Sequence, residues 1–219
     1  MKVMIKLALA SIFFLTMSPA QAGIINFISL TESPTGLGES AWTTLNVVSD
    51  GVTVSIKGYG SDDDNQQYAY LDWGNAGLGV CRDLVAPSKA DKAAPKNQNN
   101  NCNPADDDNV TRTEYLVFNF SHDVVVKNVW FNNNHDGGLG AGDQALIQSN
   151  AYNIATGYAG GANGIGAFAV SMGDDFVVAF SNEQFYISGI EIMKVTEPSG
   201  LLLFGLGLLS LARIRRLKK

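Results

Sequence analysis

The chain has 219 residues, of which 46% are hydrophobic and 16% charged, with 23 Gly, 6 Pro and 2 Cys. The apolar content is too high for a disordered chain, and it is too broken by Gly, Asn and Asp for a polytopic membrane protein, which leaves one globular domain. A formal net charge of -6 and a pI near 4.8 exclude the basic face of a nucleic-acid binder.

The first element is an address. Met1 to Ala22 reads as a secretory signal peptide, with Lys2 and Lys6 at its start, an apolar stretch from Leu7 to Met17, and Ser18-Pro19-Ala20-Gln21-Ala22 at its end. Ala20 and Ala22 form the small-x-small pattern that signal peptidase accepts, placing the cut before Gly23. The apolar run is about half the roughly 20 residues that a membrane span needs, so an N-terminal anchor fits less well.

Residues 23–195 read as one all-β domain. From Gly23 to Thr196 the chain carries eight Lys or Arg against twenty Asp or Glu, a formal charge of -12. Such acidity favours solubility and divalent cations, and it repels nucleic acid and anionic lipid. In chain order, strands are expected at Ile24 to Leu30, Thr43 to Val48, Gly51 to Lys57 and Gln67 to Trp73. Asp50-Gly51 between β-branched runs signals a hairpin. Cys81 and Cys102 then bracket a polar loop from Ser88 to Asn103. In an exported chain the pair reads as a disulfide closing 22 residues, a constraint of roughly 3 kcal/mol; buried free thiols or metal ligands are the rival reading, without C-x-x-C spacing to support metal. Further strands are expected at Tyr115 to Phe120, at Val124 to Phe131 with a bulge around Lys127-Asn128, and at Ala145 to Ser149. Gly157 to Gly166 reads as a flexible loop, and the last strands fall at Gly166 to Ser171, Phe176 to Phe180 and Gln184 to Val195. No stretch of the domain has a helical period. Short strands with turn signals between them predict an antiparallel two-sheet sandwich of jelly-roll type.

The last element, 196–219, is a second address. Thr196-Glu197-Pro198-Ser199 precedes an apolar stretch from Leu201 to Ala212 and a basic end, Arg213 to Lys219. Ser199 to Ala212 as a helix would be roughly 21 Å long, a marginal anchor for a hydrocarbon core about 30 Å thick. The basic end favours the cytoplasmic side, so the tail reads as a stop-transfer segment that meets the membrane at least transiently. This order of motif, Leu/Gly-rich segment and basic cluster resembles the PEP-CTERM sorting domain of Gram-negative bacteria. The resemblance implies processing by exosortase and delivery to the cell envelope or an extracellular polysaccharide matrix. Thr196 stands where the family motif has its first Pro, so the tail is either processed or kept as a weak anchor. Within the domain, Leu78-Gly79-Val80, Asp106-Asp107-Asp108-Asn109 and Glu114 to Phe120 look like a pattern met in exported PEP-CTERM proteins of undefined function; it implies a β-sandwich and no activity.

Three acidic clusters could carry chemistry: Asp62-Asp63-Asp64, Asp106-Asp107-Asp108, and His135-Asp136 through Asp143. Calcium takes about six to eight oxygen ligands, which Asp, Asn and Gly loops supply. Asp106, Asp107, Asp108, Asn109 and Glu114 form the preferred calcium set, and Asn133, Asn134, Asp136 and Asp143 a second; neither matches an EF-hand. Asp and Asn equally serve β-turns, so calcium is an option and no other cofactor is implied. No G-x-S-x-G elbow accompanies His122 or His135, the cysteines are expected to be paired, and twenty acidic residues make any glycosidase pair uninformative. Tyr68, Tyr70 and Trp73 lie on one expected strand, with Tyr68 and Tyr70 on one face and Trp73 on the other; whichever face is exposed offers an aromatic platform for sugar rings. The sequence therefore favours a non-enzymatic exported envelope or matrix protein. A carbohydrate-binding module attached to exopolysaccharide, with calcium as a support, is the alternative, and a secreted glycan hydrolase a third.

Overall fold

Period-two burial builds the strands. In β4 (Val52–Gly60) Val52, Val54 and Ile56 are fully buried, while Thr53, Ser55 and Lys57 between them stay partly open. The structure, a computed structural model, describes residues 22–60, 66–84, 101–103 and 108–196. Residues 1–21, Asp62-Asp63-Asp64, the Ser88 to Asn100 part of the polar loop, Asp106, Asp107 and the tail from Glu197 onward lie outside the described residues. The strands belong to one compact unit, Gln21–Lys194.

Among the described residues, thirteen strands and one short helix follow in order. They are β1 (Ala22–Asn26), α1 (Phe27–Glu32), β2 (Ser40–Trp42), β3 (Leu45–Ser49), β4, β5 (Gln66–Asp72) and β6 (Gly77–Cys81), then β7 (Glu114–Phe120), β8 (Val124–Asn132), β9 (Gln144–Ile147), β10 (Asn150–Asn153), β11 (Phe168–Val170), β12 (Phe176–Phe180) and β13 (Tyr186–Lys194). Every strand pairing is antiparallel, and the strands form one curled sheet in the order β10-β9-β12-β7-β4-β5-β6-β13-β8-β11. β3 adds to β4, β2 to β5 and β1 to β13. Among the described residues the two arms of the sheet meet where Gly58 pairs with Gln67 and Tyr59 with Gln66. One core joins them: Ile56, Phe118, Phe176 and Ile147 from one arm pack in the same cluster as Leu71, Leu78, Phe131 and Ile190 from the other.

Local chemistry explains the turns. Ser49 pairs with Val52 around Asp50 and Gly51, both at positive φ, which is the twist that a two-residue hairpin requires. The expected bulge lies at Lys127: Asn128 faces Glu191 and Val126 faces Ile192, leaving Lys127 without an opposite number. Residues 27–30, expected to prolong the first strand, are helical instead. Asn26 caps α1 by accepting the Ser29 N–H at 2.9 Å, and Phe27 and Thr31, one turn apart, are both buried. The segment expected to be a flexible loop, Gly157 to Gly166, is bound to β8. Ile165 and Val129 exchange backbone hydrogen bonds of 2.7 and 3.0 Å, and Trp130 Nε1 donates to the Gly161 carbonyl at 3.0 Å. A Cβ on Gly166 would sit 1.7 Å from the Lys127 carbonyl oxygen, so the bulge and the glycine fit each other.

The Cys81–Cys102 disulfide is formed, with Cα atoms 5.7 Å apart. With Leu84 it covers Ala41 and Tyr70 on the outer side of β5 and β6, and Tyr68 packs against this second small core. Tyr70 is thus buried and donates to Glu39 Oε1 at 2.7 Å, which removes it from any exposed aromatic platform. The reason is physical: both faces of β5 are covered, one by the main core and the other by the disulfide-bound segment.

Candidate functional site

At one end of β5 and β13 the chain gathers carboxylates, an imidazole and a phenol. Asp72 closes β5 and is 4% exposed. The turn that follows, Trp73 to Ala76, is held by Asp72 pairing with Gly77 and by Asn132 Nδ2 donating to the Ala76 carbonyl at 2.6 Å. Asp108, also 4% exposed, and Asn109 lie directly across β6. Gly79 makes this approach feasible, since a Cβ there would stand 2.0 Å from the Asp108 carbonyl oxygen and 2.7 Å from Asn109 Cα. A backbone bridge between Val110 and Phe185 then sets Tyr186, the first residue of β13, beside this segment. His135 and Asp136 come from the turn after β8, which folds back as Asp136 and Gly138 donate their N–H groups to the Asn133 carbonyl.

The side chains converge. Buried Tyr186 Oη lies 2.5 Å from Asp108 Oδ1 and 3.1 Å from Asp136 Oδ2, while Asn109 Nδ2 donates to the same Asp136 oxygen at 3.0 Å. His135 Nδ1 lies 3.1 Å from Asp72 Oδ2, which nonetheless accepts no hydrogen bond. One ligand atom each from Asp72, Asp108 and His135 fall within 4.8 Å of one another. Burial, and then the charge of Asp108, push the Asp72 carboxyl up to about 7, with His135 acting in the opposite direction. Burial also raises Asp108, against the hydrogen bond from Tyr186 that lowers it. Tyr186 itself is held protonated by burial and by the negative charge of Asp108. His135 is half-exposed and forms the mouth, its ring over Gly74, where a Cβ would come within 3.3 Å of it.

The two expected calcium sets are therefore redistributed. Asp108 and Asn109 of the first meet Asp136 of the second and its neighbour His135, which belonged to neither set, whereas Glu114 turns away and accepts the N–H and Oγ1–H of Thr111, both at 2.9 Å. Asp143 caps its own turn by accepting the Gly140 N–H at 2.6 Å, and Asn134 bonds the exposed Tyr158 hydroxyl. Asn133 is fully buried, with neither amide atom hydrogen-bonded among the described residues. The sequence reading missed Asp72 and Tyr186. An acid within the apolar and aromatic run Tyr68-Ala69-Tyr70-Leu71-Asp72-Trp73 was the available signal for the first; nothing distinguished the second. His122 Nδ1 stands 2.9 Å from Ser121 Oγ, but that oxygen accepts the Thr53 N–H, so the pair fastens an exposed turn.

A second feature is an open groove of about 490 Å³ lined by Arg82, Thr111, Arg112, Phe180, Asn182 and Gln184 among others. No family model, curated protein or solved structure matches this chain.

Proposed function

We propose that this protein is a non-enzymatic component of a bacterial cell envelope or extracellular matrix. In this reading residues 1–22 export it and the PEP-CTERM-like tail, 196–219, sorts it, with signal peptidase and exosortase as processing partners and a Gram-negative host. We read the two arms of its sheet as the layers of a jelly-roll-like sandwich. The observation that carries the proposal is a pairing: Ala22 of β1 lies opposite Met193 of β13, so the residues that follow the first proposed address and those that precede the second are neighbours in the sheet. A cut before Gly23 leaves the pairs from Gly23–Ile192 to Asn26–Gly189 in place. The disulfide supports an oxidising compartment. Fractionation of native cells tests the reading: the protein is expected in the envelope or the medium, and a strain lacking exosortase should redistribute it. A wholly cytoplasmic protein with its N-terminus uncut would contradict the proposal.

The groove favours a second reading, attachment to an acidic polysaccharide. Two of the five Lys or Arg among the described residues, Arg82 and Arg112, line it with Phe180, Asn182 and Gln184, against a single carboxylate, Glu183. Guanidinium groups bind carboxylates, and a ring with amides suits a sugar. The groove replaces Tyr68, Tyr70 and Trp73 as the candidate sugar surface: of those three only Trp73 is exposed. A uronate polysaccharide should bind the purified protein and be lost on Arg112→Ala; binding unchanged in that variant would reject the groove.

A further inference from the structure

The structure assigns a binding site for one divalent transition-metal ion of the zinc class to Asp72, Asp108 and His135, with Tyr186 and Asp136 as positioning residues. Three observations carry it independently of where the protein resides. First, the ligand atoms are already convergent: one from each residue lies within 4.8 Å of the others, and His135 Nδ1 stands 3.1 Å from Asp72 Oδ2 without a hydrogen bond. Neighbouring ligands of an ion with bonds of about 2.1 Å must stand roughly 3.0–3.4 Å apart, so this pair needs almost no movement.

Second, the site holds buried acceptors without donors. Asp72 is 4% exposed and its Oδ2 accepts no hydrogen bond while pointing at His135; Asn109 is 1% exposed, and its Oδ1 has no partner although its Nδ2 is fixed on Asp136. Buried oxygens of this kind cost free energy until a cation or donor reaches them. Among the described residues no Lys or Arg forms an ion pair with Asp72, Asp108 or Asp136. Third, the surrounding hydrogen bonds orient ligands. The Tyr186 hydroxyl contacts Asp108 Oδ1, and the same hydroxyl and Asn109 hold Asp136 beside it.

The donor set decides the metal class. Calcium is held by oxygen alone, whereas one imidazole with two carboxylates suits zinc and its neighbours. The half-exposed His135 at the mouth provides the entry path.

The test is calorimetric titration of Zn²⁺ into the purified, chelator-stripped protein. One Zn²⁺ per chain is expected, bound more tightly than Ca²⁺, with affinity falling at least tenfold in Asp108→Asn and in His135→Ala, and unchanged in His122→Ala. His135→Ala alters a half-exposed side chain, so it keeps the test decisive if Asp108→Asn does not fold. Absence of saturable Zn²⁺ binding, Ca²⁺ binding as tight as Zn²⁺, or full Zn²⁺ affinity retained in His135→Ala would each overturn the assignment.

Discussion

Asp72 is a carboxylic acid at the end of a strand that also buries Gln67, Ala69, Tyr70 and Leu71, and its surroundings decide its charge. Burial and Asp108 favour the protonated form, with Glu39 adding to them and His135 opposing. Because the folded-state pKa, about 7, lies above the ordinary value of 3.8, the metal-free fold binds a proton that the unfolded chain releases. Its stabilising contribution is complete below the ordinary value and is lost as the pH rises through about 7. Thermal melts in the presence of a chelator should therefore show the midpoint falling between about pH 4 and pH 7, and Asp72→Asn should flatten that fall. Gly79 offers a complementary test of the same locus. Its missing Cβ is the space in which Asp108 and Asn109 lie, so Gly79→Ala should cost about 1–3 kcal/mol in denaturant unfolding and weaken Zn²⁺ binding together.

Among the elements, those with a local signature were legible in the sequence. Asp50-Gly51 foretold the β3–β4 hairpin, and the shift of apolar register around Lys127 foretold the bulge. The β9–β10 hairpin has no such signature, because its turn is Gln148-Ser149, two non-glycine residues at positive φ. A tertiary contact holds it instead. Gln148 accepts the Val177 N–H through Oε1 at 3.1 Å and donates through Nε2 to the Asp175 carbonyl at 3.1 Å, fastening the turn to β12. Gln148→Ala should cost about 1–2 kcal/mol in denaturant unfolding, with amide exchange accelerating first in β9 and β10. α1 was hidden for a related reason: its six residues are too few to show a period, and one side-chain cap at Asn26 decides the conformation. β2 and β6 were missed because Ser40-Ala41-Trp42 and Gly77-Leu78-Gly79-Val80-Cys81 take their strand form from partners in β5 rather than from alternation.

At the scale of the whole molecule, a curled sheet brings together residues far apart in the chain, and this limits what a linear reading can find. Asp108 and His135 were each recognised within a local acidic cluster, yet the site needs Asp72 and Tyr186, which only the β5–β6–β13 pairing places beside them. The disulfide was legible because an even pair of cysteines in a chain expected to be exported points to one, and it covers the outer side of that region. Replacing both cysteines with Ser should lower stability by about 3 kcal/mol, read from denaturant midpoints, for a loop of this length. The central claim, an acidic β domain delivered between two address segments, is tested most directly by the intact mass of the protein isolated from its own cells. The account predicts a chain that begins at Gly23, has lost its basic tail and is two hydrogens lighter than the reduced form. A mass matching the full chain from Met1 to Lys219 with two free thiols would contradict it.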